Sequence, residues 1–166
     1  MKKNILILGL LLLGLKSIIK AQNVTTDYKT AIGLKSLPGG ISIKQFINKN
    51  DALEGIVYFD RDVTRFTALY EFHYDIPSPI EGLKWFIGPG IHLGGWTPTY
   101  RLHNQYRRGN NTMGFGIDGV IGIDYKIDAL PFDFSVDWQP SINLTSYSYL
   151  SEGLTWGGVA IRYTLR

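Results

Sequence analysis

Apolar and polar residues alternate along the stretch Phe132–Leu144, whose sequence is FDFSVDWQPSINL. Successive side chains of a β-strand point to opposite faces, so this alternation predicts a strand with one apolar face and one polar face. Soluble strands usually run about five or six residues, whereas a tilted membrane-spanning strand needs about 9–11. The stretch has the longer length, but its pattern leaves open which face points inward.

The same alternation recurs along the chain, and turn residues separate the segments. Pro38-Gly39-Gly40 indicates a hairpin, and Asp75–Leu83 is a loop because it holds two prolines and a glycine. We predict an all-β fold, an eight-stranded antiparallel up-and-down transmembrane barrel. The predicted strands are Tyr28–Ser36, Ile41–Ile47, Ala52–Phe59, Thr64–Tyr74, Lys84–Trp96, Met113–Lys126, Phe132–Leu144 and Leu154–Arg166.

The side-chain volumes on the two faces predict which face is inside. An eight-stranded barrel has an interior just wide enough for side chains to fill. The apolar faces carry Trp, Phe, Tyr or Ile at nearly every position and would overfill that space, so we expect them to point outward, toward lipid. The opposite faces hold small residues that suit a narrow lumen, among them Gly33, Gly88, Gly90, Gly116, Gly122, Gly158, Ser135 and Ser141.

Five aromatic residues support the same orientation. All fall on the predicted outward face and near one end of the sheet, as an aromatic girdle at one membrane interface requires. We assign this girdle to the periplasmic interface. Its members are Tyr74, Trp85, Tyr125, Phe132 and Tyr163.

The N-terminus has the pattern of an export signal. Lys2-Lys3 precedes the apolar run Ile5–Leu15, which is too short for a bilayer-spanning helix of about 20 residues. We predict a signal peptide at 1–21, cleaved after Ala21, and a barrel at 22–166; an uncleaved membrane anchor is the alternative. The segment 1–21 contains four lysines and no acid, so its removal changes the formal net charge from +3 to −1. The basic balance of the whole chain therefore gives no support to nucleic-acid binding.

Composition agrees with a barrel and excludes thiol chemistry. Aromatic residues make up 13% of the 166 residues, and the 19 glycines suit strands and tight turns. The chain has no cysteine, which excludes disulfides, thiolate metal sites and lipid modification of an N-terminal cysteine.

The strand sequences also resemble a known group of proteins. The segments AIGLKS, LPGGISIKQFI, ALEGIV, LYEFHY, KWFIGPGIHLGGW, FGIDGVIGIDYKI, PFDFSVDWQPSINL and GGVAIRYTL resemble the small outer-membrane β-barrel proteins of the Bacteroidetes type, which are similar to the OmpA transmembrane domain. This resemblance covers nearly all of Tyr28–Leu165 and implies a Gram-negative outer-membrane barrel with no assigned activity. One departure is Leu165, which stands where such barrels usually carry a terminal aromatic residue.

Few residues suggest catalysis. His92 should face inward and approach Asp118 on the next strand, and a loop serine would complete a triad. A lumen histidine that hydrogen-bonds to an acid explains the same pair without chemistry. The glycines lack the strand–helix context of a phosphate loop, and no cluster has metal-ligand spacing. We therefore expect no cofactor and no metal.

The connection Thr97–Thr112 contains Arg101, Arg107 and Arg108 and no acid. If it is extracellular, its arginines lie at the level of lipopolysaccharide phosphates, which a guanidinium binds bidentately. An ordinary solvated basic loop is the alternative.

Inward charges near one end of the predicted barrel suggest a closed lumen. With Asp60–Val63 as the centre of a hairpin, Glu54 lies opposite Glu71, and we expect Arg162 and Lys44 to bridge these acids and Asp133. The whole predicted network is Lys44, Glu54, Glu71, Asp124, Lys126, Asp133 and Arg162.

The sequence thus favours a non-enzymatic, monomeric outer-membrane barrel with a plugged polar lumen and a structural or surface-contact role. Its expected partners are outer-membrane lipids, lipopolysaccharide and, during biogenesis, the barrel-assembly machinery. An outer-membrane lipid-modifying enzyme and a secreted lipocalin-like binder of small ligands are the alternatives.

Overall fold

The computed structural model describes residues 28–60, 63–78, 80, 82–96, 99–102, 105–108, 112–127, 129–145 and 156–165. The predicted signal peptide at 1–21 and its cleavage point lie outside these residues. The described residues form β1 (Thr30–Lys35), β2 (Gly40–Phe46), β3 (Asp51–Phe59), β4 (Val63–Asp75), β5 (Leu83–Trp96), β6 (Thr99–Leu102), β7 (Gln105–Arg108), β8 (Thr112–Lys126), β9 (Phe132–Gln139), β10 (Ser141–Asn143) and β11 (Trp156–Leu165).

Nine of these strands form one antiparallel sheet that closes on itself. The order is β10-β8-β5-β4-β3-β2-β1-β11-β9, and β9 also pairs with β8. β9 and β10 are one strand interrupted at Pro140, which has no N–H to donate. The register continues across the interruption, because the Gly119 N–H donates to the Pro140 carbonyl at 2.8 Å. The ring therefore contains eight strands, which confirms the predicted fold.

Most predicted strands agree with the structure to within two residues at each end. The alternation defines them well because a strand with a buried face must keep period two. One difference lies in the predicted connection Thr97–Thr112, where β6 and β7 form a separate two-stranded hairpin. Among the described residues, no helix has the length and hydropathy needed to cross a membrane.

Burial alternates along each barrel strand and establishes which face is inside. On β9, Asp133 and Ser135 are at most 2% exposed, whereas Val136 is 58% exposed and Trp138 53% exposed. The apolar face therefore points outward, as predicted. This orientation contradicts the lipocalin-like alternative, which requires the apolar face to line an internal ligand site.

The connections divide the barrel into two ends. One end, which we call the terminal end, is where β1 begins and β11 ends. It also carries the connections 47–50, 76–82 and 127–131. The opposite end, which we call the loop end, carries the connections 36–39, 60–62, 97–111 and 144–155. This arrangement follows from eight strands that run alternately up and down.

Candidate functional site

Ionisable side chains point into the interior of the ring, and every strand of the ring contributes at least one. They fall into two groups, a central cluster and a loop-end cluster. The central cluster comprises Lys35, Lys44, Glu54, Glu71, Asp124, Asp133, Asp137 and Arg162. The loop-end cluster comprises Arg65, His92, Asp118, Ser141 and Asn143.

Arg162 on β11 connects three other strands of the ring. Its Nη2 forms an ion pair with Glu54 on β3, and its Nη1 donates to Asp133 Oδ2 on β9 at 3.1 Å. The same guanidinium donates to the hydroxyls of Ser42 at 2.7 Å and Ser135 at 2.8 Å. A guanidinium has five N–H donors in a planar fork, so it can serve four acceptors at once.

Lys44 on β2 is the second cation of the central cluster. Its ammonium lies 3.0 Å from Glu71 Oε2 and 3.2 Å from Asp124 Oδ1. Tyr28, which precedes β1, donates its hydroxyl proton to Asp124 Oδ2 at 3.4 Å. Burial and the neighbouring Asp124 carboxylate raise the pKa of the Tyr28 phenol well above its ordinary value. Tyr28 therefore remains a donor.

Lys35 on β1 extends the cluster toward the loop end. Its ammonium lies 2.7 Å from Asp137 Oδ2 and 3.6 Å from Glu54 Oε2. Gln139 donates to Asp137 Oδ1 at 2.9 Å and accepts from the Tyr58 hydroxyl at 3.0 Å. Sequence reasoning missed the roles of Lys35 and Asp137, although the alternation of their strands already places both on the inward face.

Buried apolar side chains contact both charged groups. Phe86 has Lys44 of the central cluster 4.5 Å from its ring centre, and Trp156 has Arg65 of the loop-end cluster at 4.2 Å. Cations over aromatic faces are favourable contacts in a desolvated interior. This apolar cluster consists of Ile56, Tyr58, Val63, Leu69, Phe86, Val120 and Trp156. Sequence reasoning predicted small residues in the lumen and did not anticipate these large ones.

Glycines make room for the larger lumen side chains. A Cβ at Gly122 would lie 2.5 Å from the Phe86 ring and 2.6 Å from the Val136 carbonyl oxygen. A Cβ at Gly116 would lie 2.5 Å from the ring of His92. Real Cβ atoms do not approach so closely, so these two positions must be glycine for the rings to pack.

The loop-end cluster centres on Asp118. Arg65 Nη2 donates to Asp118 Oδ1 at 2.5 Å and to the Ser141 hydroxyl at 2.8 Å. His92 Nδ1 lies 2.9 Å from the same Asp118 oxygen, so the structure brings together the pair expected from the sequence. His92 Nε2 lies 2.7 Å from Asn143 Oδ1, and the hydroxyl of Ser141 is bonded to Arg65. Asn143 therefore contacts Nε2, the ring nitrogen that a histidine acting as a general base would direct toward a nucleophile.

The structure brings six of the seven residues of the predicted charge network together. Lys126 is the exception. Its ammonium lies at the terminal rim and donates to the backbone carbonyls of Ile127 at 2.5 Å and Leu130 at 2.7 Å. The predicted register of Glu54 opposite Glu71 is wrong. Glu71 lies opposite Ala52, and Glu54 lies opposite Leu69. The hairpin is centred on Asp60–Val63 as the sequence indicated, but this centre pairs Glu54 with Leu69, so the two glutamates are diagonal neighbours.

The five aromatic residues of the predicted girdle lie at the terminal end, on the outside of the ring. Tyr74 stacks on Trp85 with ring centres 4.6 Å apart, and Phe132 meets Tyr163 edge to face at 5.8 Å. Tyr125 lies opposite Leu83 on the neighbouring strand. The side chains form a band around part of the circumference.

The three arginines of the predicted lipopolysaccharide contact lie on the β6–β7 hairpin. Arg101 pairs with Tyr106, Tyr100 with Arg107, and Thr99 with Arg108. The side chains of this hairpin lie outside the described part of the structure.

No group of three or more His, Asp or Glu side chains among the described residues is arranged to hold a metal ion.

No protein-family model matches the chain. The curated proteins give no match either. A solved structure does match: the crystal structure of the N-terminal β-barrel domain of Pseudomonas aeruginosa OprF, with a TM-score of 0.56 and 18% sequence identity. The match covers 82% of this chain and 94% of that one. The two chains share a fold. At this identity the likeness concerns the barrel fold alone.

Proposed function

We propose that the chain is a non-enzymatic integral outer-membrane β-barrel, with a lumen closed by its own side chains and a structural or surface-contact role. The observation that carries the proposal is the inverted polarity of the closed ring, apolar outside and ionic inside. A barrel in water would place its charges outside and its apolar residues inside.

A bilayer is the environment that this polarity fits. A closed ring satisfies the backbone hydrogen bonds of every strand without an open edge, which is what lipid demands of a spanning sheet. The exposed outer side chains are large and apolar on all eight strands, as with Leu34, Ile43, Leu53 and Phe66. Leaving such a continuous apolar surface in water would cost roughly 25 cal/mol for each Å².

Buried contacts in the central cluster support a closed lumen. Arg162 contacts both Glu54 and Asp133, and all three side chains have 0% exposure. We infer that the wild-type barrel does not conduct ions.

The proposed topology follows from the even strand number. Both termini lie in the periplasm, after export directed by the signal peptide at 1–21, and the terminal-end connections face the periplasm. The aromatic girdle then marks the periplasmic interface. The loop end faces the cell exterior, where the arginines of the β6–β7 hairpin meet lipopolysaccharide phosphates. The barrel-assembly machinery inserts the chain, and it remains a monomer.

Two measurements test this proposal. Cell fractionation should place the protein in the detergent-extracted outer membrane, and its recovery from the aqueous periplasmic fraction would contradict membrane integration. In planar bilayers the purified protein should give no steady current. A steady, porin-sized conductance would contradict the closed lumen while leaving membrane integration intact.

A further inference from the structure

The barrel wall is much shorter on one side than on the other. β1 has 6 residues and β2 has 7, whereas β5 has 14 and β8 has 15. Described residues flank β1 and β2 at both ends, so neither strand extends further. In the ring of eight strands, β2 lies directly opposite β8 and β1 lies directly opposite β5. The shortest strands therefore stand across the lumen from the longest ones.

The short strands do not reach the height that a spanning strand needs. A strand that is tilted by about 45° and rises about 3.3 Å per residue gains about 2.3 Å of height per residue. β1 and β2 thus rise about 14–16 Å, whereas the apolar band of an outer-membrane barrel is about 25 Å tall. β5 and β8 rise about 33–35 Å by the same measure. The wall is therefore too short for the band on the β1–β2 side and tall enough on the opposite side.

The exposed apolar side chains show the same asymmetry. On β8 they extend from Met113 to Ile123. On β1 and β2 the outward face is interrupted near the terminal end by a polar pair, in which the Thr30 hydroxyl donates to Gln45 Oε1 at 2.7 Å. The large exposed apolar side chains of these two strands are Ile32, Leu34, Ile41 and Ile43. The surface that lipid can cover is therefore lower on the β1–β2 side.

At the terminal end the short side reaches water. The connection 47–50 is polar apart from Ile47, and its Lys49 is exposed. With Ile47 included, the arm from Gly39 to Ile47 still rises only about 21 Å. The missing height therefore lies at the loop end.

At the loop end the tip of the β1–β2 hairpin is apolar and uncharged. The connection 36–39 has the sequence SLPG, and Leu37 is 66% exposed. A long cation beside the tip could extend to the membrane surface and offset a short wall. Lys35 is the nearest cation along the chain, but it points inward and lies 2.7 Å from Asp137 Oδ2 with 0% side-chain exposure. The tip therefore has no cation that can reach the surface in this way.

The remaining ways to accommodate a short wall are a thinner bilayer and contact with another protein. Two strands about 4.8 Å apart and about 15 Å tall present roughly 150 Å² of wall. A stable interface needs about 800 Å² from each partner. Tilting the whole barrel does not help, because a tilt lowers the height of every strand. A thinner bilayer is the solution that the dimensions favour.

We propose that the β1–β2 face thins the bilayer locally, in the leaflet at the loop end. The membrane surface lies close to Leu37 on this side, while β5 and β8 keep it at full height on the other. This inference rests on the proposed membrane integration and gives the structural role a specific form, the deformation of the surrounding lipid.

The test measures the depth of single labels, which the absence of cysteine from the chain makes possible. Leu37→Cys marks the tip of the short side, and Met113→Cys is the matched control at the loop-end limit of the tall side. Each variant carries a small fluorophore in dioleoylphosphatidylcholine vesicles. Iodide on both sides of the membrane reports contact with water, and a lipid with a mid-chain nitroxide reports contact with acyl chains. Iodide should quench both labels to a similar degree, and the nitroxide should quench both weakly.

Each other outcome has a distinct meaning. A Leu37 label quenched mainly by the nitroxide would show a bilayer of full thickness over the tip and overturn the proposal. A Leu37 label shielded from both quenchers would show another protein on this face and overturn it as well. Ile121→Cys, at mid-wall on the outward face, should be quenched by the nitroxide alone. If iodide quenches this label too, membrane integration itself fails.

The unmodified protein gives a second measurement that does not depend on the folding of any variant. Because each Å of mismatch costs a fraction of a kcal/mol, its folding equilibrium constant should be about tenfold larger in dilauroyl- than in dioleoylphosphatidylcholine vesicles. A variant with two residues inserted into each strand beside the hairpin tip should lose most of this difference. Equal constants for the wild type in the two lipids, or a difference that the lengthened variant keeps in full, would overturn the proposal.

Discussion

Replacing Arg162 with alanine should lower the free energy of unfolding by about 3–5 kcal/mol, the cost of removing one partner from a buried ion pair. The truncation leaves Glu54 and Asp133 without their guanidinium partner, both at 0% side-chain exposure. It also removes the donor to two buried serine hydroxyls, each bond being worth about 1 kcal/mol. Lys35 remains 3.6 Å from Glu54 and partly compensates, so the separate costs do not add in full.

The measurement is urea unfolding of the protein in lipid vesicles, followed by tryptophan fluorescence and extrapolated linearly to zero denaturant. Arg162→Lys should recover only part of the loss, because an ammonium has three donors and no planar fork. Ile161→Ala is the matched control on the same strand. Ile161 points outward and is 49% exposed, so its truncation should cost no more than about 1 kcal/mol. If Arg162→Ala costs no more than this control, Arg162 does not hold the lumen together.

Two neighbouring positions on β8 test the orientation of the wall. Ile121→Arg places a charge on the outward face near mid-strand and should cost about 2–4 kcal/mol in a bilayer, and unchanged stability would refute lipid exposure there. Gly122→Ala adds only a methyl group, but it collides with the Phe86 ring and should cost about 1–3 kcal/mol by overpacking. Trypsin added to intact cells should cut beside Arg107, and cleavage only after the outer membrane is breached would reverse the proposed topology.

The sequence determined the strands and their faces. A strand with one buried face needs period-two alternation. Asp133 and Val136 are an odd number of residues apart, so the sequence alone assigns them to opposite faces. The length of these alternating stretches then favoured a membrane barrel over a soluble sheet. Residue volumes were enough to place the apolar face outside, because an eight-stranded ring cannot enclose it.

Only the tertiary structure decided which charges meet. Strand tilt and stagger in a closed barrel bring residues of distant strands to one height, and this stagger is not encoded in local alternation. Lys35 on β1 therefore forms an ion pair with Asp137 on β9. The alternation placed both residues on the inward face but did not predict that they contact each other. The buried apolar cluster was missed because the glycines that alternation assigned to a narrow lumen accommodate Phe86 from the neighbouring strand.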